Sequence, residues 1–548
     1  MDRSLWQLFC AIAASIPDRE AVIDRERRFT YSGLADRAAR LANVLAAHGL
    51  GCHRERAELR PWEIGQDTVA LLMHNCVEYV EGLLGASASR TVSTNINYSY
   101  TAQEMAYVLR DAGADAVVYQ AGFAPMLADA LSRLATRPLL LQVADSSGNP
   151  LLPGALDYEA ALAAAPPDLV PTGHSGDDVQ IIYTGGTTGM PKAVLWRHGD
   201  AWAACLARGA HRQGGTVEDL VAHVGARDKG KVLVVAPMMH GSGTFQSLSG
   251  LLYGDAVVYV GERGHFRAEE VLDTVERERV TSLLVIGEAY AKPLLAALSA
   301  GGRDTSSLRL VISGGAPITL RSKQALVEAL RPAAFVELMG ASETGGALER
   351  SSVEAGAQDT GGVFRPRPGD DIAVLDVTRT RRHQPGHSEP GFFAKAGALP
   401  LGYLGDRAKT EATFTTVDGV RYSVPGDLAL LRTDGLIEVL GRDSATINTG
   451  GEKVFAEEVE EALTAHPAVR DAAVAPRPSE RWGQEVTAIV ELVAGAEVTD
   501  EEITAAAAVH IARYKLPKAI IRVDRVRRTA NGKIDRPWAK RVAVDGAV

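Results

Sequence analysis

Val179-Gln180-Ile181-Ile182-Tyr183-Thr184-Gly185-Gly186-Thr187-Thr188-Gly189-Met190-Pro191-Lys192 is the stretch on which the reading of this chain turns. Val179 to Ile182 is a β-branched, apolar run of the kind found in strands covered on both faces, and it breaks directly into glycines and hydroxyls. Gly185, Gly186 and Gly189 permit backbone with φ > 0 and close approach to a ligand, Thr184, Thr187 and Thr188 add donors, and Lys192 adds a positive charge. The combination predicts a phosphate cradle. It is not a Walker A loop, which needs Gly-Lys-Ser/Thr, because Lys192 stands between Pro191 and Ala193.

Working outward, similar runs recur at 69–73, 116–119, 139–143, 232–236, 256–260, 282–286, 308–313 and 335–339, alternating with helical stretches. This pattern predicts an α/β fold of layered, mostly parallel sheets, with ligands gathered at the carboxyl ends of strands. Between about 370 and 442 the chain changes to short strands with Gly, Pro and Asp turns, a small β-rich subdomain. A compact α+β unit follows, with a helix near 455–465, a strand at 486–493, a helix at 501–511 and a strand at 519–523. The expected organisation is a large N-terminal domain over 1–442, a hinge at 443–444 and a small mobile C-terminal domain over 445–548. The charged segment 52–67 reads as a solvated loop.

At 548 residues the chain is too long for one ordinary core. Its net charge of -10 and lack of a basic patch exclude a nucleic-acid-binding surface. Four cysteines, at 10, 52, 76 and 205, have neither zinc-site spacing nor the density of a secreted scaffold, which points to the cytoplasm. Leu5, Leu8, Phe9, Ile12 and Ile16 are spaced for an amphipathic helix rather than a signal peptide, and no apolar run has transmembrane length.

Further motifs follow the cradle in order: Ser313-Gly314-Gly315-Ala316-Pro317, Met339-Gly340-Ala341-Ser342-Glu343-Thr344, Gly426-Asp427-Leu428, Gly441-Arg442, Gly450-Gly451-Glu452-Lys453 and Asn531-Gly532-Lys533-Ile534-Asp535-Arg536. Together they resemble the adenylate-forming superfamily, which includes acyl-CoA synthetases, luciferases and the adenylation domains of peptide synthetases. The resemblance spans roughly residues 20 to 540. It is similar in particular to actinobacterial acyl-CoA synthetases, which handle fatty acids and sterol side-chain acids.

The resemblance implies ATP-dependent conversion of a carboxylic acid to an acyl-adenylate, then transfer to coenzyme A, with a long-chain or sterol side-chain acid as substrate. It assigns ATP and AMP contacts to Thr184 through Gly189, Gly314, Gly315, Ala316, Ser342, Asp427 and Arg442, with Asp427 taking the ribose hydroxyls. Lys192, Glu343, Thr344 and Lys533 are the implied catalytic residues. Glu343 is the implied magnesium ligand, an ion that needs few protein carboxylates because it keeps waters and phosphate oxygens. The resemblance also puts His240, Gly241 and Gly243 at the acyl pocket, whose small residues leave room for a bulky group, and Gly450, Gly451, Glu452 and Lys453 at the coenzyme A arm. Ser444 is the implied hinge. Expected partners are the acid, ATP, coenzyme A and a second copy of the chain as a homodimer, with no nucleic acid.

Rival readings meet obstacles in the same residues. An esterase is prompted by His240-Gly241-Ser242-Gly243, yet the nearest approach to a Gly-x-Ser-x-Gly elbow, Gly340 to Thr344, ends in Thr. A peptide-synthetase domain would hold an Asp for its substrate amine near 238–244, where there is none, and no carrier domain follows Val548. A luciferase-like enzyme or an acyl-AMP ligase shares the motifs and differs only in acceptor. A dead binding protein is disfavoured by the presence of Lys192, Glu343, Asp427, Arg442 and Lys533.

Overall fold

The amphipathic N-terminus folds as the helix Leu5–Ser15, started by a capping box in which Ser4 accepts from the Gln7 amide and Gln7 from the Ser4 amide. Leu8, Phe9 and Ile12 are fully buried against Tyr31, Leu34 and Leu41 of the next helix, Tyr31–Ala47, in the largest core cluster. The computed structural model to which these elements belong describes residues 3–168, 173–184, 190–261, 266–315, 318, 320–351, 363–442, 446–527 and 534–546.

Three sheets organise the described residues. In one, the strands 402–403, 192–197, 179–184, 92–95, 68–72, 114–120, 139–143 and 156–157 lie in that order. From 179–184 to 156–157 its neighbours run parallel, each apolar strand covered by helices. A 15-stranded sheet is parallel through 20–24, 256–259, 231–233, 282–285, 310–314 and 334–341, then continues antiparallel through 345–351 and onward. The five-stranded third sheet is built from 446–455, 469–479, 483–492 and 519–523. The α/β class and the small C-terminal unit are as expected.

Several details extend the expectation or depart from it. The β-rich region of 370–442 is joined to the long sheet, since 363–366 pairs with both 345–351 and 437–442. Two strands are illegible in the sequence. Val92–Asn95 is short and largely polar, and Val469–Ser479 contains Pro476 and Pro478, which a strand tolerates here because it lies on the sheet edge. The segment 52–67 is tied down rather than merely solvated: Glu55 Oε1 and Oε2 each accept from Arg90 at 2.8 Å, and Arg90 Nε also donates to Asp178. The helix expected over 501–511 stops earlier, as Asp500–Ala507. No helix of the described residues is long and apolar enough to cross a membrane.

Candidate active site

Both loops singled out in the sequence follow apolar strands as expected, and each leads into an antiparallel partner strand. Val179–Thr184 pairs with Lys192–Arg197, Thr184 standing opposite Lys192. The connecting residues Gly185, Gly186, Thr187, Thr188 and Gly189 lie outside the described residues. Ala334–Ala341 turns back into Gly345–Ser351, leaving Ser342, Glu343 and Thr344 as the turn. Asn95 holds the first hairpin in place: its Oδ1 accepts from the Tyr183 amide at 2.8 Å and its Nδ2 donates to the Met239 carbonyl, tying the cradle strand to the 239–243 segment.

The short strand Gly402–Tyr403 pairs with Leu195 and Val194 and so brings Tyr403 beside Lys192. Lys192 Nζ lies 5.9 Å from the Tyr403 ring centre, and the Tyr403 hydroxyl donates to Glu343 Oε1 at 2.7 Å. Thus a residue from each of three distant segments meets at one point. Burial, together with the neighbouring Lys409 ammonium, pulls the Lys192 ammonium down to about 8, against the opposing pull of Asp406 and Glu343. An ammonium held this way is under-compensated, the condition a site needs if it is to receive a polyphosphate.

Thr344 supports this point from below. It is fully buried, and its Oγ1 accepts from the Ala341 amide at 2.9 Å and donates to the Gly345 carbonyl at 2.9 Å. Its own carbonyl accepts from Lys395 Nζ at 2.8 Å. The hydroxyl expected at a phosphate is therefore spent on the turn that carries Glu343. Ser342 is held through its carbonyl by Trp196 Nε1 at 2.9 Å.

Gly314 ends the strand Leu310–Gly314, and Gly315 follows with φ +78° beside Ile286. Asp427 is buried at the start of Asp427–Leu431, in register with Arg442. Ala316, Ser444 and Lys533, and the side chains of Arg442 and Lys453, lie outside what is described.

A second junction joins the C-terminal unit to the N-terminal one. His240, at the start of the helix Gly241–Leu252, has its Nε2 2.9 Å from Glu452 Oε1. Burial pushes the Glu452 carboxyl up, but the imidazole beside it offsets this and leaves it below its ordinary value. Gly450 and Gly451 adopt φ +59° and +89°. A Cβ on Gly451 would lie 2.8 Å from Ile286 Cγ2, and one on Gly450 2.8 Å from the Trp482 indole, so the turn is wedged where only glycine fits. Tyr98 and Tyr290, which both feel the Glu452 carboxylate, line a cavity shared with His74, Val235, Pro237 and Phe266.

The small residues of the 241–243 segment do not widen a pocket as expected. A Cβ on Gly243 would lie 2.5 Å from the carbonyl oxygens of both Ala236 and Pro237, and one on Gly241 3.3 Å from the Phe245 ring. The missing side chain at 243 is replaced by backbone, and the missing one at 241 faces an aromatic ring. Sequence reasoning missed Asn95, Tyr98, Ile286, Tyr403, Lys409 and Trp482, none of which stands in a motif; their proximity comes from strand pairing and unit docking alone.

Residues 9–391 match the AMP-binding enzyme family, and residues 458–533 match its C-terminal domain. The chain belongs to the AMP-binding enzymes. This AMP-binding enzyme is 45% identical over 540 residues to the medium-chain acyl-CoA ligase Mig of Mycobacterium avium, covering 98% of this chain and 97% of that protein. It is 34% identical to the 3-oxocholest-4-en-26-oate CoA ligase of Rhodococcus rhodochrous, over 96% of this chain and 93% of the relative. Its fold matches the amide bond synthetase McbA of Marinactinospora thermotolerans with a TM-score of 0.78 at 23% identity, over 97% of this chain and 99% of that one.

Proposed function

We propose that the acid activated by this AMP-binding enzyme is a medium-chain fatty acid, with a sterol side-chain acid as the second reading. The enzyme is an AMP-forming acyl-CoA ligase that uses ATP, magnesium and coenzyme A. A carboxylate oxygen attacks the α-phosphorus of ATP, the bond to the bridging oxygen breaks and pyrophosphate leaves. The thiol sulfur of coenzyme A then takes the acyl carbon, and AMP departs. What supports the choice of acid is the gap between 45% identity to a medium-chain ligase and 34% to a sterol-acid ligase. The backbone packed against Gly243 removes the argument for a roomy pocket.

Adenylation joins two anions, so its transition state is helped by fixed positive charge. Lys192, with Lys409 beside it and the threonines of the cradle, would hold the β- and γ-phosphates. Glu343 fits a magnesium ligand: Tyr403 occupies Oε1, while Oε2 has no hydrogen bond among the described residues. The ion supplies neutralisation of the phosphates when bound. Asp427 and Arg442 would hold the ribose, Gly314 to Ala316 the adenine face, and Lys533 the attacked phosphate. For the second step the units 1–442 and 445–548 would turn about Ser444, bringing the Gly450 to Lys453 turn to the thiol. A cytoplasmic homodimer completes the reading.

Purified enzyme assayed with short, medium and long straight-chain acids and a sterol side-chain acid should give its highest kcat/KM for medium-chain acids, measured as ATP-dependent pyrophosphate release and acyl-CoA yield. A higher value for the sterol acid would establish the second reading. Acyl-adenylate without acyl-CoA would show another acceptor. Gly451→Leu should keep the first-turnover burst of pyrophosphate while acyl-CoA collapses, in a protein whose melting curve shows it folded.

A further inference from the structure

Lys515 closes the 3-10 turn Arg513–Lys515 of the C-terminal unit and is buried, its side chain only 4% exposed. Nζ donates to Glu104 Oε1 of the N-terminal unit at 2.8 Å and to Glu458 Oε1 of its own unit at 2.5 Å. The two carboxylates are 3% and 8% exposed. The rings of Tyr100, from the N-terminal unit, and Tyr514 each have their centre 5.7 Å from Nζ. One ammonium is thus enclosed by two acids and two aromatic faces contributed from both sides of the junction.

Each member is set by its local structure. Glu104 is the third residue of the helix Ala102–Asp111, and its Oε2 completes a capping box by accepting from the Thr101 amide and hydroxyl. The cap fixes the side chain and leaves Oε1 aimed at Lys515. Glu458 lies in the first turn of the helix Ala456–Thr464, which continues without a break from the strand Glu452–Phe455. That strand begins at the residue paired with His240. Lys515 therefore clamps the base of the element whose tip is the Gly450–Gly451 turn. Burial pushes the Glu458 carboxyl up to about 7, Lys515 opposes this and Glu104 adds to it, and Glu458 Oε2 finds no hydrogen-bond partner among the described residues. A cluster so arranged is favourable only while the units are docked. Separated and hydrated, the same charges attract weakly.

We propose that Glu104, Lys515 and Glu458 form an electrostatic latch that positions the Gly450 to Glu452 turn for acyl transfer to coenzyme A and takes no part in adenylation. The residues act through the turn and touch no substrate. The proposal rests on the reading that this turn flanks the thiol.

The test uses Lys515→Met, Glu104→Gln and the double variant in the full-length enzyme. Gln keeps the helix cap because it also accepts from Thr101. Each single variant should lower acyl-CoA formation from supplied acyl-adenylate at least tenfold, while burst pyrophosphate release stays within twofold of wild type. The double variant should lose no more than the worse single, since one interaction is being removed twice. Hydrogen exchange should quicken over 98–107 and 511–518 with the rest of each unit still protected. Equal loss in both half-reactions, multiplying losses in the double, or unchanged exchange would overturn the latch. Should Gly451→Leu leave acyl-CoA formation normal while the exchange result holds, the latch stands and the thiol reading of the turn fails.

Discussion

Lys192, on the cradle hairpin, is half-buried with a second ammonium from Lys409 beside it, whereas Lys515, at the junction of the two units, is enclosed by the carboxylates of Glu104 and Glu458. Burial lowers the affinity of both for protons. At Lys192 the neighbouring cation adds to that effect and the group falls to about 8, while at Lys515 the two acids reverse it and the group rises above its ordinary value. The same side chain is left short of negative charge on the hairpin, as an anion-binding role would require, and is oversupplied with it at the junction of the units. Charge balance around a lysine, more than burial, separates a binding role from a structural one.

The sharpest way to break this comparison is to neutralise both lysines in turn. Lys192→Met should lower acid-dependent pyrophosphate release by about 10²- to 10³-fold, the range for removing one electrostatic contact to developing charge, with little change in melting temperature. Lys515→Met should do the reverse, sparing pyrophosphate release. Equal effects of the two on adenylation would erase the distinction drawn here. Glu343→Gln, which keeps shape and removes charge, should cost adenylation about 10²-fold even at saturating acid, and an unchanged rate at limiting magnesium would remove Glu343 from the site.

Smaller effects sharpen the picture around Lys192. Tyr403→Phe removes a hydrogen bond to a charged carboxylate, an interaction of roughly 1.5–3 kcal/mol, and should raise the magnesium concentration needed for half-maximal rate by about tenfold, leaving the KM for the acid unchanged. The pH profile of kcat/KM for ATP should fall as pH rises through about 8, because the charged form of Lys192 is the one that meets phosphate and is lost there. Lys192→Arg should abolish that limb. The companion effect on stability has the opposite sign. With the folded group at about 8 and the ordinary value at 10.5, the unfolded chain holds more protons between these values, so this lysine's contribution to stability rises with pH across that window. Comparing thermal unfolding of wild type and Lys192→Met at the two ends of the window measures it.

Much of the frame is legible residue by residue. The apolar runs at 69–73 and 282–286 fall on observed strands because a strand buried on both faces must be apolar throughout. Val469–Ser479 is hidden because its prolines are acceptable only at an edge, and edge position is a property of the assembled sheet. Gly243 misleads for a related reason: an absent side chain reads as space, and only the assembled backbone shows the space already filled. Thr344 likewise carries a hydroxyl that the motif offers to a ligand and the turn consumes.

The amino-acid sequence by itself determined the α/β class and the ordered motifs of an AMP-binding enzyme, and it singled out Lys192 and Glu343 as candidates, because strand patterning and glycine-rich turns act over a few neighbouring residues. The tertiary structure alone decided that Tyr403 bridges Lys192 and Glu343, that His240 faces Glu452, and that Lys515 is shared by Glu104 and Glu458. These contacts join residues 57 to 411 positions apart. Their energies depend on separations of a few ångströms and on exclusion of water, quantities set only when the sheets pair and the two units dock.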